Sequence, residues 1–321
     1  MMAKIEFAGV DLETLDSQVI EYPKTVPGRV THIDADFAAY MVSAFDDVSF
    51  EDMTHNLDVM RETLRLMSGA ERTQLHLTPS SSNKGFRFEI AIQKEYQGNR
   101  QDKPKPKLLN AVRSWMHQHR DAYLWKDQEA DDGLAQALYR EVGENPKLSV
   151  LVSKDKDLRM VPGYHMDWDT GDITFIGEDD LFGWISLYTP EPKEKEDGSY
   201  TKPAIKLIGR GTKFFWAQML MGDGADNIQG IQKVPGKTKW KSCGLKAAYE
   251  LLANVESDKE AFTLIRDLYR DCEQQVGGYR HWKTGEPKTW QQVFKSEAAL
   301  LWMRRKESAT DVLDWFMETC R

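Results

Sequence analysis

The sequence predicts an α/β fold, a largely parallel sheet flanked by helices, followed by a helical C-terminal part. Three observations carry that expectation. Short β-favouring runs at 30–33, 74–77 and 149–152 each end in polar punctuation, and helical stretches separate them. Asp34 and Asp155 stand just past two of these runs, where open sheets of this type build their sites. Beyond residue 205 the apolar residues recur mostly at helical spacing.

Taken in order, residues 1–28 have no clear period and are expected to form an irregular lead-in. The α/β part is expected over 29–204 and the helical part over 205–321. Residues 104–120 read as an amphipathic helix with Leu108, Leu109, Val112, Trp115, Met116 and His119 on one face. His117 and His119 are two apart and point in different directions, so they make a poor metal pair. A further helix is expected to start at Asp131 or Asp132, because carboxylates in a first turn meet exposed amides and the positive end of the dipole. Residues 189–204 lack periodicity and read as an exposed loop. Leu245, Ala248, Tyr249 and Leu252 form one apolar stripe, and Phe262, Ile265, Leu268, Tyr269 and Cys272 another. Helices are expected over 289–305 and 309–320. These stripes are assigned to the core, not to a cofactor.

With 321 residues, 40% of them hydrophobic and ten of them tryptophan, the chain can bury a substantial core. No apolar run approaches the ~20 residues needed to span a bilayer, and the N-terminus does not resemble a signal peptide. Three cysteines without paired-ligand spacing argue against a zinc site or a disulfide framework and suit a reducing cytoplasm. The net charge of −8 opposes nucleic-acid binding when taken as a whole, but its distribution is informative. Residues 84–120 hold nine Lys/Arg against three Asp/Glu, and 202–246 hold nine against two. An acidic body with two basic stripes keeps most of its surface off nucleic acid while steering a strand to one place.

The acidic residues cluster as Glu129-Ala130-Asp131-Asp132, Asp155-Lys156-Asp157, and Asp223 with Asp226 in the glycine-rich stretch from Gly222 to Gly236. Carboxylates gathered at the ends of separate elements repel one another unless cations bind among them, and oxygen donors suit Mg²⁺ or Mn²⁺. Such clusters suggest two-metal phosphodiester chemistry. Singly each is weak evidence, since an isolated Asp-x-Asp is ordinarily a helix cap or a solvated turn. Glycines let backbone amides approach a phosphate closely, although such a stretch alone is also an ordinary helix–turn–helix corner.

In order and spacing, Ile33-Asp34-Ala35-Asp36, Phe86-Arg87-Phe88-Glu89, Tyr96-Gln97-Gly98-Asn99-Arg100, Glu129 to Asp132, Ser153 to Leu158, and Met221 to Gly236 together resemble the flap endonuclease superfamily of 5′-nucleases. That superfamily includes bacteriophage 5′–3′ exonucleases and the 5′-nuclease domain of bacterial DNA polymerase I. The resemblance runs from residue 30 to about 250. It implies a PIN-like sheet, a helical arch near 100–125, a helix–three-turn–helix after residue 205, and two Mg²⁺ or Mn²⁺ ions. Asp34, Glu129, Asp131 and Asp132 would hold the first metal region, and Asp155, Asp157, Asp223 and Asp226 the second. Arg100 would orient the phosphate, Tyr96 stack on a base, and Gln97 lie beside the scissile bond. Arg87, Lys103, Lys105, Lys107, Arg113, Gly230, Gly236, Lys237, Lys239 and Lys241 would contact DNA, with a K⁺ at the helix–three-turn–helix. The implied partner is DNA with 5′ ends, flaps, nicks or gaps, RNA primers included, met by a monomer in a bacterial or phage-infected cytoplasm.

Three positions depart from the family pattern. Gln97 replaces a usual lysine, Gln218 replaces a lysine of some phage members, and Thr78 stands nearest to an acidic residue that follows the second strand. Gln97 is therefore expected to mark an electrostatic deficit, offset by Arg100 or Lys94 if at all. Two other readings stay open: a non-catalytic DNA junction-binding accessory protein, and a PIN-type ribonuclease.

Overall fold

The computed structural model describes residues 22–45, 47–100, 104–195 and 198–320. A six-stranded sheet is built from β1 (Val30–Asp34), β2 (Arg72–Leu77), β3 (Tyr123–Leu124), β4 (Ser149–Val152), β5 (Gly163–Met166) and β6 (Ile173–Ile176), in the order β3-β2-β1-β4-β5-β6. The first five strands are parallel, and β6 returns antiparallel on β5. At the centre, Ile33 registers with Leu75 on one side and Val152 on the other. Every residue of β4 is buried, as expected of a strand covered on both faces.

On one face lie α1 (Ala35–Val42), α2 (Phe50–Met67) and, beyond the single turn α3 (Arg87–Ile90), α4 (Leu109–His119). Their Ala38, Leu57, Val112 and Met116 share a core with Ile33, Leu75, Val150 and Val152. On the other face Leu134, Ala135 and Leu138 of α5 (Ala130–Glu144) share a core with Leu151. That core continues into α6 (Thr212–Met221), α7 (Leu245–Leu252), α8 (Asp258–Val276), α9 (Trp290–Leu301) and α10 (Asp311–Thr319). Residues 214–220 of α6 are buried without interruption, so this helix is the hub of the C-terminal part. Around it Phe215 meets Trp302 edge-on at 5.2 Å, and Trp216 stacks on Phe316 at 5.5 Å. Asp34 caps α1, Ser257 caps α8, and Thr289 with Gln292 forms a capping box on α9.

The α/β fold and its three expected strands are present. The helix expected over 104–120 begins only at Leu109, because Pro104 and Pro106 keep the preceding backbone extended. His119 is exposed at its C-terminal turn and not part of the buried face. The helix expected from Asp131 or Asp132 starts at Ala130, and the last two stop at Leu301 and Thr319. Strands β5 and β6 escaped sequence reading, as did an antiparallel ribbon of β7 (Trp184–Tyr188) and β8 (Lys206–Arg210), because their polar and apolar residues mix over only four or five positions. The ribbon pairs residues on both sides of the expected 204–205 boundary and packs on α6 and α7. A small hairpin, β9 (Tyr279–Arg280) and β10 (Pro287–Lys288), joins α8 to α9. Of the lead-in, residues 1–21 lie outside the described residues, and 22–28 carry neither helix nor strand. Among the described residues no helix is long and apolar enough to cross a membrane.

Candidate active site

The carboxyl ends of the two central strands deliver the first carboxylates. Asp34 ends β1 and accepts hydrogen bonds from Phe37 N (3.0 Å) and Ser153 Oγ (2.9 Å). Ser153 follows β4, and its hydroxyl also receives Asp155 N at 3.0 Å, which ties the two strand ends together. Asp155 in turn accepts Asp157 N at 2.8 Å. Glu129 and Asp131 come from the start of α5, which is anchored to β2 by Ala130 N donating to Thr78 Oγ at 2.8 Å. The Asp131 side chain makes no hydrogen bond or ion pair among the described residues. Glu129, Asp131 and Asp155 line a cleft of about 680 Å³ together with Asp36, Asp157, Asp226 and Lys84, while Asp34 is buried and joined to Asp155 through Ser153.

The second group hangs from the loop between α6 and α7. Asp223 and Ile228 exchange backbone hydrogen bonds of 3.0 and 2.8 Å. Gly230 approaches Gly222 so closely that a Cβ on it would meet Gly222 N at 2.3 Å. The segment Tyr96 to Arg100 clasps this loop: Gln97 N and Nε2 donate to Asp226 O and Oδ1, both at 2.8 Å. Arg100 reaches Asp226 Oδ1 at 2.7 Å and Ala225 O at 2.9 Å, and Asn99 reaches Gly224 O at 2.7 Å. Tyr96 donates to Glu129 Oε2 at 2.8 Å and is buried, so it is a strut beneath the site and not an open stacking face. Lys84, Phe86, Gln97 and Asn227 all hold left-handed backbone with φ between 52° and 64°. Non-glycine residues in that region are strained, and strain of this kind gathers at functional sites.

Two further sequence expectations are corrected. Asp132 is fully buried; Arg87 donates to its two oxygens at 2.6 and 2.8 Å, and Arg304 N donates at 3.1 Å. It fastens the segment after α9 to α5 and has no oxygen turned to the cleft for a metal. Arg87, only 1% exposed, is its counterion and not a DNA-contacting residue. Lys105 is exposed and lines the cleft, while Arg113 pairs with Asp36 at 3.0 Å and donates to Thr78 O. Lys107 is exposed, and Lys103 lies outside the described residues. Lys237, Lys239 and Lys241 are exposed on a loop closed by paired hydrogen bonds between Val234 and Lys241, with Gly236 half-buried at its base. Gly230 is buried behind it.

Sequence reasoning missed three residues. Lys84 donates to Gln97 Oε1 and, at 3.1 Å, to Glu129 Oε1, so it supplies the positive charge that Gln97 lacks. Neither Arg100, committed to Asp226, nor Lys94 fills that place. Asp36 accepts Thr78 N at 3.1 Å, setting a carboxylate beside Thr78. Lys156 bridges Asp157 and Asp223. A lysine's charge is legible in sequence, but its reach across 13 to 67 positions is not.

Burial raises Asp34, Asp131, Asp155, Asp157 and Asp226 alike, and Asp223 stands apart from them. Burial, then repulsion from Asp36 and Asp155, pushes Asp34 up to about 7. Burial, then Asp34, Asp155 and Glu129, pushes Asp131 well above the usual carboxylate range. Asp155 is raised by burial and by Asp223 and Glu129, and Asp157 to about 8 by burial and Asp155. At Asp223 burial is outweighed by Lys156, Ala225 N and Arg100, which hold it below the usual range. Among the described residues no three His, Cys, Asp or Glu side chains are placed to hold one ion as they stand. The donor chemistry still fits a hard cation, since Asp34, Asp131 and Asp155 present oxygen with no cationic side chain upon them.

No family model matches the chain. It is 31% identical over 181 residues to DNA polymerase I of Bacillus caldotenax, a match that takes in 55% of this chain and 18% of the polymerase. Its fold is shared with the D15 protein of bacteriophage T5 co-crystallised with metal ions, at a TM-score of 0.53 and 17% identity over 90% of this chain and 97% of that one. It is likewise shared with the bacteriophage T5 D15 flap endonuclease in a pseudo-enzyme-product complex with DNA and metal ions, at a TM-score of 0.53, 15% identity, and the same coverage. The fold that the motif resemblance implies is thus found again over 90% of the chain.

Proposed function

We propose that this protein is a metal-dependent, structure-specific 5′-nuclease that hydrolyses phosphodiesters of DNA at 5′ ends, flaps, nicks or gaps, with RNA primers as further substrates. One observation carries the reading. Carboxylates from the end of β1, the turn after β4 and the start of α5 gather about one cleft, Asp34, Asp131 and Asp155 among them without an ion pair, and Lys84, Gln97 and Arg100 stand beside them. Bound Mg²⁺ or Mn²⁺ would supply a hydroxide nucleophile and stabilise the leaving oxygen. Asp34, Asp131 and Asp155, with Glu129 beside them, would hold the first ion, and Asp157, Asp223 and Asp226 the second. Lys84 faces the cleft from the strained turn before α3 and would neutralise charge building on the phosphate. Arg100 would exchange Asp226 for a phosphate oxygen and so orient the strand. The Lys237–Lys239–Lys241 loop, with a K⁺ at its turn, would grip the duplex backbone, and Lys105 at the cleft mouth would draw in a single strand. A monomer in a reducing cytoplasm completes the reading.

The testing experiment follows end-labelled blunt, nicked, gapped and flapped DNA with Mg²⁺ and with EDTA. Mg²⁺-dependent, EDTA-abolished release of 5′ products from nicked or flapped DNA is expected. Junction binding without cleavage would replace this reading by an accessory DNA-binding role, and cleavage confined to single-stranded RNA by a PIN-type ribonuclease.

A further inference from the structure

We propose that the Lys156 ammonium is a built-in cation of the Asp157–Asp223 pair, seated where a second divalent ion would bind. The free protein then takes one divalent ion tightly, at Asp34, Asp131 and Asp155, and a second only in competition with Lys156. This inference rests on the metal-dependent reading above.

The geometry around the pair carries it. Asp157 and Asp223 are 5% and 8% exposed, and Lys156 Nζ lies between them, 3.2 Å from Asp157 Oδ1 and 2.8 Å from Asp223 Oδ2. Gln218 Nε2 donates to the same two oxygens, at 2.8 and 3.3 Å. Each of these oxygens thus already accepts two donors, about its full lone-pair capacity. The remaining Asp223 oxygen accepts Ala225 N at 2.8 Å. Gln218 Oε1 is buried without a partner, so its amide is held in place by what its nitrogen does for the carboxylates.

The other carboxylates differ. Asp34 and Asp155 accept only neutral donors, and Asp131 none. Ion pairs from the chain thus fall on Asp157, Asp223 and Asp226 and on Glu129, and among the described residues none falls on Asp34, Asp131 or Asp155. Lys156 can also leave: its side chain is 44% exposed on a flexible stem whose ammonium sits 5.7 Å from the Phe214 ring. It supplies in the chain a charge that Gln218 does not carry.

Mn²⁺ binding to the full chain, followed by electron paramagnetic resonance and calorimetry, tests this without reference to cleavage. Wild type is expected to bind one Mn²⁺ tightly and a second at least about tenfold more weakly. Lys156→Met should tighten that second site at least about tenfold, and Lys156→Arg, which keeps the charge, should not. Lys156→Gln serves as a second neutral variant should the methionine protein fail to fold. Equal second-site affinity in wild type and the neutral variants would overturn the inference alone. Absence of Mn²⁺ binding in every protein would overturn both it and the metal-dependent reading.

Discussion

Lys84 and Gln97, thirteen positions apart, share one hydrogen bond: the Lys84 ammonium donates to the Gln97 side-chain carbonyl while also contacting Glu129 at 3.1 Å. The electrostatic deficit expected at Gln97 is therefore already filled from the turn before α3. Lys84→Ala should slow single-turnover cleavage of a 5′-flap by on the order of a hundredfold or more, with little change in DNA affinity. Gln97→Lys should leave the rate flat or lower it, because a second ammonium would face Lys84. A faster Gln97→Lys enzyme would restore the deficit reading.

Asp155→Asn and Asp131→Asn are expected to cut cleavage by more than about a hundredfold while leaving DNA binding intact or tighter. Each substitution removes a ligand charge from the cleft and at the same time relieves repulsion of phosphate. Near-native cleavage by either protein in Mg²⁺, read with enzyme in excess, would remove these residues from the site.

Replacing Lys237, Lys239 and Lys241 together with alanine should weaken duplex binding. The dependence of log affinity on log salt should flatten by roughly 0.9 per lost phosphate contact. The loop closed by Val234 and Lys241 carries no buried side chain on its lysines, so the protein should melt as wild type does. An unchanged salt slope would place the duplex elsewhere.

Breaking the Arg87–Asp132 pair should unfold rather than inactivate. Both side chains are nearly without exposure, and Arg87→Met leaves an uncompensated buried carboxylate, at a cost of about 3–5 kcal/mol. Adding Asp132→Asn to Arg87→Met should return part of that loss. Urea melts of the single and double variants measure it, and a stability loss below about 1 kcal/mol for Arg87→Met would contradict the buried-pair account.

Glu297 gives a pH dependence outside the carboxylate cleft. It accepts Gly230 N at 2.8 Å from within the core, and burial raises it to about 7. The folded state thus binds this proton more tightly than the unfolded chain does. Its contribution to stability is fully present below about 4.5, the unfolded value, and is lost as pH rises through about 7. Glu297→Gln, which keeps an acceptor for Gly230 and removes the charge, should melt like wild type near pH 4.5. At pH 8 it should be more stable by up to about 3 kcal/mol. Identical pH profiles for the two proteins would contradict this.

The sequence by itself determined the alternation of strands and helices, the positions of Asp34 and Asp155 past strand ends, the start of α5 to within two residues, and the glycine-rich turn around Asp223. Each of these is a local property: a period, a cap, a breaker or a turn chemistry expressed within a few neighbouring residues. Only the tertiary structure decided how the charges divide. Asp131 and Asp132 are adjacent and chemically alike, but successive helix positions point about 100° apart. One therefore faces the cleft and the other the buried Arg87. In the same way Lys84, Lys156 and Arg87 read alike as basic residues, Lys84 and Arg87 within a basic stripe and Lys156 within an acidic cluster. Their partners lie 45 to 67 positions away, and the packing of distant elements, not local spacing, set which became a counterion, which a cleft cation and which a core strut.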